Sequence, residues 1–325
     1  HRAPTPRTAP PPAHAPGPMV AWRGPVEHLF FHPPLSTPGR AFHSWQGRGF
    51  RDYFVTVGEF NRILRQLYSR RWVLVDIEAV AHRRLRVPKG RRPLIISVDD
   101  LNYYDYLRQV NPTYRLMLDR TGRVAVELRD RAGHHPRLSR TADVVPILDD
   151  FVAAHPDFSV NGAKAVIAET GYEGVLGWRT NQLSAPDIAA RRAGARRVVT
   201  AMKAEGWRFA SHSWGHINET TRPIASLRFD SIRWRDQVES IVGKTDLYVY
   251  PFGAQPSAAG RAMLHREFGF RVFCGIDVTP ELRFTDGMVL MARRHIDGLA
   301  FDGQRRNLRP FFTVSAVRDG KARRL

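Results

Sequence analysis

Two apolar runs in this chain end in side chains that can bind a metal ion, and this arrangement constrains the fold most. Residues 94–98 form one run, which is followed directly by Asp99 and Asp100, and a later run ends at His212 and His216. Short continuous apolar runs are typical of parallel strands covered on both faces. Because the carboxyl ends of parallel strands meet at one edge, we expect the four side chains to lie together.

The four residue types suit a hydrolytic metal site. Two histidines four residues apart face the same side of a helix or of a strand, so His212 and His216 can bind one ion. Two imidazole nitrogens and one carboxylate oxygen leave coordination positions open, as hydrolysis requires, and the second carboxylate can act as a base. Taken singly, Asp99 and Asp100 also suit a helix cap and turn, and the histidines suit ordinary surface or core positions. Their placement after successive strands favours the metal site.

Strands and helices alternate through much of the chain. Thr56 and Glu59 have the spacing of a capping box at the start of a helix. The patterns predict strands at 72–75, 163–168, 207–210, 247–250, 270–274 and 288–291, and helices at 144–151, 184–206, 230–242 and 257–268. Such alternation implies right-handed crossovers and a parallel sheet, closed into a barrel or open. Residues 102–140 are irregular in pattern and rich in Tyr and Arg.

Three motifs resemble those of a known family. Ser97–Asp100 and His212–His216 resemble the first two motifs of polysaccharide deacetylases of the NodB-homology type (carbohydrate esterase family 4), and Tyr250–Gly253 resembles the third. The resemblance runs from about residue 92 to about residue 298. It implies an α/β fold, a distorted (β/α) barrel that holds a divalent ion, with an insertion between the first two motifs.

The resemblance also implies a role for each motif residue. Asp100, His212 and His216 would bind the ion, and Asp99 would be the general base that deprotonates the attacking water. The backbone N–H of Phe252 would stabilise the tetrahedral oxyanion.

The chain departs from the family pattern at two places. The family commonly has an Arg three residues before the aromatic of the third motif, where this chain has Val249, so Arg293 or Arg294 would have to supply that charge. The family's general acid is a His near the end of the last strand, and His295 is the candidate, although its spacing differs. Arg293 as the characteristic residue of a divergent subgroup is the competing interpretation.

Five residues are candidates for substrate binding. Asn102 and Tyr103 follow the Asp pair and could line a sugar subsite, because aromatic faces stack on pyranose rings and amides bind hydroxyls. A packed, hydrogen-bonded loop is the alternative, and the same choice applies to Arg179. Tyr250 and Pro251 in the third motif complete the set.

The composition divides the chain into three parts. Residues 1–18 are rich in Pro and small residues, which predicts a disordered tether. We expect residues 19–92 to form an N-terminal α/β segment packed on the barrel and residues 93–325 to form the deacetylase-like catalytic domain. The insertion between the first two motifs is expected to shape one wall of the cleft.

The charge of the chain bears on its partners. The formal net charge of +19 should attract polyanions, such as an anionic cell envelope. The basic residues are mostly Arg and are scattered, which argues against a specific nucleic-acid face. No apolar stretch of 18 residues occurs, which excludes a spanning helix within this sequence. Because the chain begins at His1, we expect that a signal or anchor was removed and that the protein is extracellular or at the cell surface.

The sequence therefore predicts a metal-dependent hydrolase that removes N-acetyl groups from a polysaccharide of the peptidoglycan or chitin type. Zinc is the expected ion, with cobalt, nickel or manganese as alternatives. A carbohydrate-binding protein that keeps the fold without turnover is the alternative function, motivated by the departures described above. A nucleic-acid-associated protein is a third hypothesis that rests on the charge alone.

Overall fold

The computed structural model describes residues 17–324, and its centre is a closed barrel of seven parallel strands. In chain order these are β1 (Glu27–Phe31), β2 (Arg92–Asp99), β3 (Val166–Glu169), β4 (Arg208–Ser211), β5 (Leu247–Val249), β6 (Val272–Ile276) and β7 (Met288–His295). Around the barrel the order is β6, β5, β4, β3, β2, β1 and β7, and pairing of β6 with β7 closes the ring. The predicted distorted (β/α) barrel is confirmed. Of the predicted tether, residues 1–16 lie outside the described residues.

The first barrel strand comes from the segment that was expected to pack outside the barrel. β1 pairs in parallel with β2 on one side and with β7 on the other. Residues 19–92 therefore supply a barrel strand as well as surrounding helices, and the barrel does not begin at residue 93. Five residues are too few for periodicity alone to distinguish a strand from other structure.

Helices cover the outside of the barrel and connect its strands. The capping box is present, with Thr56 and Glu59 exchanging side-chain and backbone hydrogen bonds at 3.0 and 2.8 Å. The α-helices are Pro38–Phe42, Gly47–Tyr53, Val57–Ser69, Ile77–Ala81, Asp105–Arg108, Val144–Ala154, Ile188–Ala204, Ile224–Trp234, Ser240–Val242, Ala258–Phe268, Gly298–Gly303, Arg305–Leu308 and Val314–Val317. A π-helical turn, Arg235–Glu239, and the 3₁₀ turns Pro156–Phe158, Glu219–Thr221 and Pro251–Gly253 complete the helical elements. No helix within residues 17–324 has both the length and the apolar character that crossing a bilayer requires.

The insertion after the first motif is more regular than the sequence indicated. Residues 113–139 form a three-stranded antiparallel sheet, with strands Thr113–Leu118, Val124–Leu128 and Arg137–Ser139. Burial does not alternate along these strands, because Tyr114 and Arg115 are adjacent and Val124–Leu128 is buried throughout, so the sequence shows no clear period-two pattern. The remaining strands are Met19–Ala21, which pairs with Arg86–Pro88, then Trp72–Leu74 beside β2, and Leu282–Thr285 beside β7.

Side-chain alternation along the barrel strands determines which residues face inward. Ile95 of β2 and Met291 of β7 pack together in the apolar cluster inside the barrel. Because strand side chains alternate with a period of two, Asp99 shares the inward face with Ile95. By the same rule Arg293 faces inward with Met291, and Arg294 faces outward.

Candidate metal centre

Asp100, His212 and His216 converge at the carboxyl ends of the barrel strands. Asp100 follows β2, and the two histidines lie in the loop that follows β4. One ligand atom from each residue lies within 4.8 Å of the other two, and Asp100 Oδ2 is 3.8 Å from His216 Nε2. Within residues 17–324 this is the one cluster of three or more side chains that could hold a metal ion.

Both histidines can present a neutral nitrogen to an ion. His212 Nδ1 lies 2.8 Å from the carbonyl oxygen of Val249, so a proton on Nδ1 is donated there and Nε2 keeps its lone pair. Burial lowers the pKa of His216 to about 4, against the opposing charge of Asp100, so this imidazole is neutral at pH 7. Two neutral imidazoles and a carboxylate are the donor set that zinc and similar divalent ions bind. The residues present therefore fit the implied metal.

The loop that carries the histidines is neither helical nor extended, so the four-residue spacing does not itself explain their convergence. Ser213 and His216 have positive φ angles of 56° and 49°, which side chains disfavour. The Asp230 carboxylate accepts hydrogen bonds from the backbone N–H groups of Trp214 and Gly215, at 2.6 and 2.8 Å. Asp230 thus holds the loop in the conformation that brings the two imidazoles together.

Asp99 is fixed inside the barrel by a buried guanidinium. Arg293 donates from Nη1 to Oδ1 at 2.6 Å and from Nη2 to Oδ2 at 3.0 Å, and it has no solvent exposure. Burial alone would raise the pKa of Asp99, but the charge and the hydrogen bonds of Arg293 outweigh it and lower the pKa to about 2. Asp99 is therefore ionised at neutral pH, with Oδ2 3.9 Å from His212 Nε2.

Arg293 supplies the charge that the third motif lacks. Val249, at the position where the family commonly has an Arg, is a buried strand residue whose carbonyl orients His212. Arg294 turns away from the site and lies 3.7 Å from Glu27. The sequence left Arg293 and Arg294 as alternatives for this charge. The structure favours Arg293, because it lies on the inward face of β7.

Asp100 has different neighbours from Asp99. Tyr104 Oη donates a hydrogen bond to Asp100 Oδ1 at 2.7 Å. The other oxygen, Oδ2, faces His216 and also His32, whose Nε2 is 4.0 Å away. Asp100 therefore has one oxygen held by a phenol and the other directed to the histidines.

Two solved structures share this fold over most of the chain. The Streptococcus pyogenes deacetylase PplD has a TM-score of 0.51 at 14% identity, and the match covers 85% of this chain and 93% of PplD. The candidate polysaccharide deacetylase BA0330 of Bacillus anthracis has a TM-score of 0.50 at 13% identity, over 90% of this chain and 68% of that one. At these identities the likeness shows the fold alone. No curated protein sequence matches the chain significantly.

The sequence itself matches a family model in the middle of the barrel. Residues 164–273, from β3 to β6, match the model for polysaccharide deacetylase. This stretch of the chain is similar to polysaccharide deacetylases. The match includes the histidine loop and the third motif, whereas β1, β2 and β7 lie outside it.

The candidate metal centre includes a histidine that the sequence analysis missed. His32 follows β1, and its Nδ1 lies 3.0 Å from the carbonyl oxygen of Tyr53, so Nε2 is the nitrogen that faces Asp100. Its sequence signal is a short apolar run that ends in His and two prolines. That is the same pattern of a strand followed by a polar side chain that drew attention to Asp99.

His295, the predicted general acid, has both ring nitrogens engaged by neighbours. Nδ1 lies 2.8 Å from Asp297 Oδ2, and Nε2 contacts the side-chain amide of Gln304. In this arrangement neither nitrogen is available to a leaving amine. His295 therefore fits a structural role at the end of β7, and its catalytic role stays a prediction.

Four of the five predicted substrate-binding residues are buried beside the candidate metal centre, and Arg179 is partly exposed. Asn102 and Tyr103 have no solvent exposure, Tyr250 is 1% exposed, and Pro251 is buried. Arg179 donates to the backbone carbonyls of Asn102 and Tyr103 at 3.2 and 2.8 Å. A sugar cannot contact side chains that solvent does not reach, so the packed-loop alternative describes the segment after the Asp pair.

Phe252 of the third motif is exposed beside the candidate metal centre. Its side chain is 64% exposed, and its ring centroid lies 4.3 Å from that of His216. Its φ of 58° turns the backbone sharply after β5. The role of its N–H in stabilising an oxyanion stays a prediction.

Proposed function

We propose that this protein is a metal-dependent hydrolase that removes N-acetyl groups from the amino sugars of a polysaccharide. One observation carries the proposal: Asp100, His212 and His216 converge beside an ionised Asp99 in a chain that is similar to polysaccharide deacetylases. Each of these residues has the chemistry that amide hydrolysis needs. The similarity alone supports the coarser conclusion that the chain is a deacetylase.

In the proposed reaction Asp99 accepts a proton from the attacking water. Arg293 binds both carboxylate oxygens, so the base is oriented before substrate arrives and needs no rearrangement. A divalent ion held by Asp100, His212 and His216 would supply Lewis acidity, by polarising the amide carbonyl and lowering the pKa of water. Asp99 then acts through its position, because its low pKa makes it a weak base.

We assign the proton for the departing amine to His32. Cleavage of the amide C–N bond leaves electrons on nitrogen, and a proton must reach that atom for the amine to leave. His32 Nε2 lies beside the metal ligands, and the contact of Nδ1 with a backbone carbonyl fixes the ring. His295 is the second candidate, and its present contacts would have to break first.

The proposed substrate is a β-linked glycan with N-acetylated amino sugars, of the peptidoglycan or chitin type. PplD was solved in complex with acetate, the product that this reaction releases. Such polymers lie outside the cell membrane, so we also propose an extracellular or cell-surface location. The net charge of +19 would favour contact with anionic envelope polymers at that location.

A glycan-binding protein without turnover on the same fold is the alternative. Its motivation was the missing Arg of the third motif and the doubtful acid at His295. The pairing of Arg293 with Asp99 and the position of His32 beside Asp100 support turnover. Turnover therefore has the better support.

The test is release of acetate from chitin oligomers and from peptidoglycan fragments by the purified protein. We expect release with zinc present, loss with a chelator, and recovery when zinc is restored. Asp99→Asn should lower the rate by roughly 100-fold or more. Asp286→Asn is the matched control, because Asp286 is an exposed turn carboxyl that tolerates Asn.

Two outcomes contradict the proposal. An unchanged rate in Asp99→Asn would remove the assigned base. Glycan binding without acetate release, under each of zinc, cobalt, nickel and manganese, would favour the alternative function.

A further inference from the structure

An open cavity lined by aromatic side chains lies beside the metal centre. We call it the aromatic cleft, and its aromatic residues are Trp45, Phe50, Tyr53, Phe54 and Tyr106. We propose that the aromatic cleft is a sugar subsite, which binds a pyranose ring of the glycan next to the unit that is deacetylated. The inference rests on the proposed function for the identity of the glycan.

The aromatic cleft is built on a segment that none of the deacetylase motifs includes. Most of its residues come from the helix Gly47–Tyr53 and the turn before it, and Tyr106 comes from the short helix after the Asp pair. The family model match begins only at residue 164. The cleft is therefore built mainly on the N-terminal segment and lies outside the matched region.

Two side chains of the aromatic cleft are unusually exposed for their size. Trp45 is 84% exposed and Tyr53 is 51% exposed. Large aromatic rings normally lose solvent contact on folding, and rings that remain exposed around a concavity are typical of ligand sites. The rings behind them are buried, because Phe50 and Phe54 are at most 7% exposed. The cleft thus has a fixed floor and an accessible rim.

Side-chain contacts connect the aromatic cleft to the metal centre along two routes. On one side Phe54 packs on the ring of His32, with centroids 5.3 Å apart, and His32 faces Asp100. On the other side the Tyr106 ring stacks on Tyr104, with centroids 5.7 Å apart, and Tyr104 donates to Asp100. One side chain therefore separates the cleft from a metal ligand on each route.

The size and polarity of the aromatic cleft fit a sugar ring. Its volume is about 350 Å³, at the small end of the range for ligand sites. Gln46 and Arg48 stand among the aromatic residues and can bind hydroxyl groups. Pyranose rings have an apolar face of C–H groups and a polar rim of hydroxyls, so they match aromatic rings interspersed with hydrogen-bonding side chains. A neutral glycan is therefore the expected occupant.

The experiment measures binding without turnover. The full-length protein is kept in a chelator, and the dissociation constants for the tetramer of N-acetylglucosamine and for a peptidoglycan fragment are measured by calorimetry. Trp45→Ala should weaken binding roughly fivefold or more, and Trp45→Phe should retain most of the affinity. Leu183→Ala is the control, because Leu183 is an exposed apolar residue outside the cleft.

The outcomes separate the subsite from the proposed function. Equal affinity in Trp45→Ala and the unaltered protein, or no binding of either glycan by the unaltered protein, overturns the subsite even if acetate is released. Weakened binding in Trp45→Ala together with unchanged affinity in Leu183→Ala supports the subsite, even if no acetate is released. Because Trp45 is at the surface, its substitution leaves the folded core intact, and an unchanged melting temperature verifies this.

Discussion

The two carboxylates that follow one another at the end of β2 lie in different regions of the molecule. Asp99 faces the barrel interior, where Arg293 binds both of its oxygens. Asp100 lies beyond the strand and faces His216, His32 and the Tyr104 hydroxyl. Two adjacent residues therefore have carboxylates in different surroundings. A buried cation fixes the carboxylate of Asp99, whereas the carboxylate of Asp100 is directed to imidazoles.

This difference shows how a strand end can give two roles to adjacent, identical residues. Alternation directs Asp99 inward, and the positive φ of 62° at Asp100 turns the backbone there. The inner oxygens are already paired and need no further cation. The outer carboxylate faces the imidazole of His216 and can take part in binding an ion.

The largest expected effect distinguishes Asp99 from Asp100 through the metal affinity of their Asn variants. Both Asp99→Asn and Asp100→Asn should lower the deacetylation rate by about 1,000-fold, since each removes a group assigned to the reaction. Only Asp100→Asn should weaken zinc binding, by roughly 100-fold or more, because it removes a ligand. Calorimetric titration of zinc into each variant checks this. Equal zinc affinities in the two variants would contradict the comparison.

The next effect concerns the buried pair of Asp99 and Arg293. Arg293→Met should lower the unfolding free energy by about 3–5 kcal/mol, because it leaves a buried carboxylate without its cation. Adding Asp99→Asn to Arg293→Met should recover much of that loss, since the carboxylate is then gone. Arg294→Met is the control on the outward face of β7. Denaturant unfolding measures all of these, and a double variant no more stable than Arg293→Met would contradict the assignment of the loss to the unpaired carboxylate.

A smaller effect tests which histidine, His32 or His295, donates the proton to the departing amine. His32→Gln should lower the rate by about 100-fold, within the range for loss of a general acid. His295→Gln should change it less than about fivefold, because both nitrogens of His295 are already engaged. The measurement is acetate release at saturating substrate across pH. A greater loss in His295→Gln than in His32→Gln would reverse the assignment.

The smallest effect concerns His28, a buried residue of β1, the strand that pairs with β2. Its Nε2 is 3.0 Å from Ser97 Oγ, and burial, with the charge of Arg293, lowers its pKa well below the usual value. The folded protein keeps His28 neutral, whereas the unfolded chain binds a proton near pH 6.5. Stability is therefore complete above about pH 6.5 and is lost as the pH falls below that value.

Substitution of His28 by Gln isolates this contribution. From pH 7 to pH 5.5 the unfolding free energy of the unaltered protein should fall by roughly 1 kcal/mol more than that of His28→Gln. Denaturant unfolding at both pH values measures the two slopes. Any constant loss of stability in the variant shifts its curve without changing the slope, so parallel curves would contradict the prediction.

The sequence patterns predicted a parallel sheet, the family resemblance implied its closure into a barrel, and the predicted grouping of Asp100, His212 and His216 is present in the structure. The sequence alone shows where residues of metal-binding types follow buried runs, and parallel strands bring such residues to one edge of the sheet. The reason given for His212 and His216 needs correction, because Asp230 and a left-handed backbone, not periodicity, bring them together. That contact joins two distant segments, and the sequence had no signal for it.

The sequence was insufficient where burial decides the role of a residue. Asn102 and Arg179 have the side chains of sugar-binding residues, but the structure uses them to hold a loop. His32 was missed because β1 is short, and Trp45 because no motif surrounds it. Arg293 and Arg294 could be separated only once the inward face of β7 was known.

The most direct test of the account is to locate the ion. Crystals grown with zinc should be measured by anomalous diffraction on both sides of the zinc absorption edge. The account predicts one zinc ion bound by a carboxylate oxygen of Asp100 and a ring nitrogen from each of His212 and His216, with Asp99 still paired to Arg293. A zinc ion coordinated by Asp99 in place of Asp100, or no ion at these three residues, would contradict it.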